Sequence, residues 1–149
     1  MNSECLNNWK QEGHVSLWRY TNSSRHRYTG LNLSGDSAAI QSLVDLTRCL
    51  ADEPGTRTVR LAQPTQAALS IPGFDSDYEW FRKIKLGYEG EHHGIVFAIV
   101  GDSLVLTIGH SGILTLRGAL GRYGRGDCDF AMPCEVSGGG KYDRAVWFW

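Results

Sequence analysis

Residues Ile95–Val100, IVFAIV, form an unbroken apolar run, and LVLTI at Leu104–Ile108 answers it across Gly101-Asp102-Ser103. Two apolar runs separated by so short a Gly-Asp-containing step predict a β-hairpin. A strand that is apolar at every position predicts burial on both faces. That constrains the whole chain. A strand of this kind needs sheet neighbours and a covering layer, so the remaining sequence must supply both.

The cover comes first from residues 34–52. Ala39, Ile40, Leu43, Val44, Thr47 and Leu50 recur at three- and four-residue spacing, with Gln41, Asp45, Arg48 and Asp52 opposite. This is the pattern of an amphipathic helix of about four turns. Ser34 or Asp36 is positioned to cap its start, and Pro54-Gly55 to stop it. A weaker helix is expected over Ile113–Tyr123, where Gly118 and Gly121 each cost about 1 kcal/mol relative to Ala. Ser111 is its expected N-cap, and Pro64–Leu69 reads as a short helical turn.

Alternating segments provide further strands. His14–Tyr20 sets Val15 and Leu17 against Ser16, Trp18 and Tyr20. His26–Leu33 follows after the polar turn Thr21–Arg25, and the two segments can pair as a hairpin. Thr56–Ala62 sets Arg57, Val59 and Leu61 against Thr58, Arg60 and Ala62. Tyr78–Tyr88 reads as one long, half-exposed strand at a sheet edge, with Lys83 and Lys85 as edge protection. Arg144–Trp149 is the last strand, with Trp147 and Trp149 sharing one face and Phe148 on the other. Residues 1–13 read as loose and polar, with Trp9 as an anchor. No regular strand–helix–strand repeat exists. The expected fold is therefore α+β: one domain over 1–149, a mainly antiparallel sheet with two helices on one face, and a C-terminal strand completing the sheet.

Charge and length narrow the function classes. With 15 basic and 16 acidic residues the formal charge is −1, which disfavours a dedicated nucleic-acid binder. There is no apolar run of about 18 residues to cross a membrane. The N-terminal residues lack the basic-then-apolar layout of a signal peptide. A cytoplasmic location is expected, with Cys5, Cys49, Cys128 and Cys134 mostly reduced.

Several segments imitate known chemistry and fail at a particular residue. Gly109-His110-Ser111-Gly112 resembles a nucleophile elbow, but Ile113 stands where that turn requires Gly, and all five histidines precede Ser111. Gly138-Gly139-Gly140-Lys141 resembles a phosphate loop, but Glu135 and Tyr142 occupy the positions that need Gly and Ser or Thr. Cys128 and Cys134 lack the spacing of a zinc site, so neither a metal nor a cofactor is expected. Arg125-Gly126-Asp127 matches an adhesion triplet by chance. The candidate binding residues that remain are Arg125, Asp127, Asp129, Trp147 and Trp149. Asp127 and Asp129 could act as a pair of acids, and the chain has 5 Trp, 6 Tyr and 5 Phe. Trp, Tyr and Arg dominate protein–protein hot spots.

Three readings follow. The first is a non-catalytic domain, of accessory or immunity type, that docks to another protein through aromatic and Arg side chains. The second is a small-ligand binder or enzyme using the Arg125–Asp129 loop. The third is a homo-oligomer paired along the Tyr78–Tyr88 edge.

The succession Leu31-Asn32-Leu33-Ser34-Gly35-Asp36, amphipathic helix, Arg57–Leu61, then Leu104–Gly109, helix, Arg125-Gly126-Asp127-x-Asp129-Phe130 and Val146-Trp147-Phe148-Trp149 resembles a family of small uncharacterised bacterial proteins that end in Trp-Phe-Trp. The cysteines and the Gly138–Lys141 loop depart from that pattern. No activity attaches to the family, so the resemblance implies a small bacterial domain and no catalytic residue.

Overall fold

In the computed structural model, residues 4–20, 30–53, 55–70, 77–91, 94–136 and 144–149 are described. The amphipathic segment is helix α2 (Ser37–Asp52), and its N-cap is Asp36. Asp36 Oδ1 accepts from the amide of Ala39 at 2.8 Å, and Oδ2 accepts from the amide of His14 at 2.9 Å. These two amides, Ala39 first, hold the Asp36 carboxyl below the usual carboxylate range. The turn into this cap depends on Gly13. Its φ is +68°, and a Cβ there would lie 2.0 Å from Asp36 Oδ1.

The buried stripe of α2 is wider than its periodicity indicates, because Ser42, Leu46 and Cys49 are buried too. Neighbours on both flanks cover it. Helix α1 (Glu4–Asn8) joins it through a Cys5–Cys49 disulfide with Cα atoms 5.4 Å apart. This overturns the expectation of four reduced thiols, because the N-terminal segment lies along α2. Trp9 does anchor that segment: its indole N–H donates to Ser42 O at 2.7 Å. On the other flank, helix α4 (His110–Gly124) reaches across with Arg117, whose Nε donates to Thr47 Oγ1 at 3.1 Å. Helix α3 (Gln66–Ser70) is the short turn expected near Pro64.

The fold is α+β, with its strands in two mixed sheets of five rather than one mainly antiparallel sheet. The first contains β1 (Val15–Tyr20), β2 (Leu31–Gly35), β4 (Tyr78–Trp80), β8 (Phe130–Pro133) and β10 (Ala145–Phe148), in the order β4-β1-β2-β10-β8. The second contains β3 (Thr56–Arg60), β5 (Lys83–Tyr88), β6 (Ile95–Val100), β7 (Ser103–Ile108) and β9 (Glu135–Val136), in the order β3-β5-β7-β6-β9. The β1–β2 and β6–β7 hairpin pairings form as expected. The C-terminal strand β10 lies inside its sheet, parallel to β2 and antiparallel to β8.

Three expectations about strands change. Tyr78–Tyr88 is two strands in two sheets, broken at Phe81-Arg82, and β5 lies between β3 and β7 rather than at an edge. Strands β8 and β9 occupy a stretch read as loop; their alternation is too short to register as a period. The run Ile95–Val100 is buried on one face only: Ile95 and Phe97 face inward, while Val96 and Ala98 are half-exposed and Val100 is exposed. The Thr21–Arg25 turn, the start of the second strand, Pro54, His92-His93 and the Gly138–Lys141 loop lie outside the described residues.

One core joins the two sheets and both long helices. It includes Leu17, Leu33 and Phe148 of the first sheet, Val59, Leu86 and Leu106 of the second, Leu43 of α2 and Leu120 of α4. A void of about 40 Å³ remains between them, with an almost wholly apolar lining. That leaves room for little more than a water molecule, and an apolar lining keeps such a void dry.

The disulfide closes a sequence separation of 44 residues. Chain-entropy reasoning gives it about 4 kcal/mol. Urea unfolding with and without reductant should show that loss, matched by Cys5→Ser/Cys49→Ser. Asp36→Ala should cost about 1 kcal/mol at neutral pH. Because the Asp36 pKa is lowered on folding, its contribution is complete above the unfolded carboxylate value of about 3.9 and is lost as pH falls through the folded value. The stability gap between wild type and variant should therefore close in acid, as read by denaturant midpoints across pH.

Candidate functional site

The outer face of the first sheet carries a row of side chains in continuous register. Trp80 of β4 lies opposite Trp18 of β1, Trp18 opposite Asn32 of β2, and Asn32 opposite Trp147 of β10. Alternation explains the row, since Leu17, Leu31, Leu33, Val146 and Phe148 point to the main core on the other side. Trp18, Ala68 of α3 and Trp149 form a second buried cluster, with Tyr20, Leu69, Tyr78, Trp80 and Trp147 packed half-buried around it.

One buried polar side chain in this cluster is matched to an indole, while the Trp18 indole N–H is buried with no hydrogen-bond partner among the described residues. Asn32 is fully buried, and its Oδ1 accepts from the Trp149 indole N–H at 2.8 Å. Trp147 and Trp149 stack with centroids 6.0 Å apart. Burial raises the Tyr20 phenol above its ordinary pKa. At the rim, Arg82 lies over the Trp80 ring at 4.4 Å and pairs with Asp102 at 3.4 Å. Arg19 pairs with Glu79 directly across β1 and β4.

The five residues expected from sequence divide between two places. Trp147 and Trp149 belong to this outer cluster. Arg125, Asp127 and Asp129 are exposed in the turn after α4. There Asp127 pairs with Arg122 at 3.0 Å, and Arg122 covers the Phe130 ring at 4.2 Å. Phe130 stacks in turn on Phe148 at 4.8 Å. Asp129 adopts φ 60° and donates its amide to Phe148 O at 2.8 Å. The turn therefore adjoins β10 through the backbone, on the side opposite the two indoles. Asp127, by holding Arg122 of α4, braces the end of the inner aromatic stack.

The elbow-like segment has a different geometry from the one expected. Gly109, not Ser111, is the N-cap of α4, and no side chain caps it. Gly112, in its first turn, packs directly on the backbone: a Cβ there would lie 2.3 Å from Gly94 O. Beside it runs an open groove of about 510 Å³ lined by Val96, Ser111, Thr115, Cys134 and Glu135. Cys134 is buried and Cys128 exposed, so the two do not form a pair. Burial, with Glu135 adding, pushes the Cys134 thiol up to about 12. Among the described residues no cluster of His, Cys, Asp or Glu is placed to hold a metal ion. Nor is any described helix long and apolar enough to cross a membrane.

Trp80, Arg82, Tyr20 and Tyr78 were not expected at a site. Their alternation was legible, but the partner strands that align Trp80 with Trp18 and Trp147 are far apart in sequence. Comparisons with protein-family models, curated proteins and solved structures find no match.

A thiolate is the reacting form of cysteine. Alkylation of the native protein at mildly alkaline pH should modify Cys128 alone, with Cys134 reacting only after denaturation, as read by mass spectrometry.

Proposed function

We propose that the chain is a non-catalytic docking domain of a bacterial cell, of accessory or immunity type, that binds another protein through the outer face of the first sheet. The observation that carries this reading is the row itself. Two half-exposed indoles, Trp80 and Trp147, flank the fully buried pair Trp18 and Asn32, and Arg82 is stacked on the outermost ring. Large amphipathic rings held rigidly by a buried base lose little entropy on binding, and Trp, Tyr and Arg are the residue types that dominate hot spots.

Residues singled out for chemistry have structural tasks that favour the same reading. Asp127 holds Arg122, Arg122 covers Phe130, and the Cys134 thiol is kept protonated by burial. The expected cytoplasmic location stands against the Cys5–Cys49 disulfide, a bond that persists chiefly in oxidising compartments.

Affinity purification from native cells, with wild type and with Trp80→Ala/Arg82→Ala, tests the proposal. A stoichiometric partner retained by wild type and lost by the variant, with the variant still folded by circular dichroism, is the expected result. A strictly monomeric protein with no retained partner, or a partner indifferent to the substitutions, would overturn it.

A further inference from the structure

The outer face of the second sheet is open, and its charge is unbalanced. Pairing across β3, β5, β7 and β6 places Arg60, Lys83, Ser103 and Val100 in one row. The next row on the same face is Thr58, Lys85, Val105 and Ala98. Arg60, Lys83 and Lys85 are exposed, Val105 and Ala98 half-exposed, and Val100 is 61% exposed. None of the three cations makes an ion pair among the described residues. Asp102 is held by Arg82, and Glu135 stands on the far strand β9.

This arrangement is unfavourable for the isolated chain. Like charges directly opposite each other on paired strands repel, as Arg60 and Lys83 do here. Protection of a sheet edge explains a cation on β3. It does not explain Lys83 and Lys85, because β5 is flanked by β3 and β7. Nor is the patch the overflow of a basic protein, since the formal charge of the chain is −1. The free edge of β3 is itself closed at this end: the Gln11 carboxamide accepts from the Arg60 amide at 2.8 Å and donates to the Arg60 carbonyl. The face, not the edge, is what remains available.

We infer that this face docks an acidic protein surface, with carboxylates on Arg60, Lys83 and Lys85 and apolar side chains on the Val100, Ala98 and Val105 strip. A protein fits better than a nucleic acid. The two rows hold no aromatic side chain to stack a base, and an aliphatic strip beside cations matches the apolar core and polar rim of a protein interface. None of the residues of these two rows belongs to the aromatic row, so variants of Lys83 and Lys85 leave Trp80, Arg82 and Trp147 in place and the two readings fail independently.

The probe is a synthetic peptide of alternating Glu and Val, followed by amide chemical shifts of the full chain. Shifts should concentrate at Thr58–Arg60, Lys83–Lys85 and Ala98–Val105, and fade at about 0.3 M salt as screening shortens the reach of the charges. Lys83→Glu/Lys85→Glu should weaken binding roughly tenfold or more. Lys83→Gln/Lys85→Gln should melt at or above the wild-type temperature, because a like-charge contact is relieved. Absence of shifts, shifts on another face, or binding unchanged in the Glu variant would overturn the inference. So would a single-stranded oligothymidylate that shifts the same face more strongly, or a lower melting temperature in the Gln variant.

Discussion

The two sheets are held together by the backbone at the places where the chain passes from one to the other. Val15 O accepts from the amide of Ala62 at 2.8 Å, and Leu17 O accepts from the amide of Phe81 at 3.0 Å. Leu61 donates its amide to Arg82 O, and Arg82 donates to Asp102 O. These bonds tie β1 of the first sheet to the ends of β3, β4 and β5. Buried amides and carbonyls left unpaired at such a junction would be costly. Once they are paired, Leu61 and Phe81 turn inward beneath the junction, and both sheets share one core.

A second junction lies near the C-terminus. Strand β8 pairs in the first sheet and β9 in the second, with the Cys134 amide between them donating to Arg144 O at 3.0 Å. This explains why Cys134 is buried and its thiol suppressed. It also places β10 between β2 and β8, where Phe148 enters the core and Trp149 the outer cluster. Tyr123 secures the same end from α4: its hydroxyl donates to Trp149 O at 2.8 Å and accepts from the Gly35 amide at 3.2 Å. The terminal aromatic triplet is thus a structural element, and of its three rings only that of Trp147 stays partly exposed.

With both inner faces spent on a common core, the outer faces are the surfaces left for the two docking roles proposed above. They differ in kind. The first is aromatic, partly covered by α3 and rimmed by Arg82. The second is aliphatic and cationic, and it lies open. Both properties trace to strand residues that alternate with core positions, so the side chains on each outer face are positioned by those buried behind them.

The sequence by itself determined the elements whose signal is local. The period of Ala39–Leu50 specifies α2, the Asp36 cap sits three residues before the amide it accepts from, and the two apolar runs around Gly101 specify the β6–β7 hairpin. The parity of the terminal strand, with Trp147 and Trp149 opposite Phe148, was also legible, because side chains in a strand alternate whatever the neighbours are. Tertiary structure decided what depends on distant partners. Parity cannot say which strand lies alongside, so the division into two sheets, the break at Phe81-Arg82 and the separation of the Arg125–Asp129 turn from the two indoles were not readable. Composition likewise could not say that Cys5 would meet Cys49, or that an apolar run such as Ile95–Val100 would have only one face covered. Those outcomes rest on which surfaces pack together, and that is set by pairing across the whole chain.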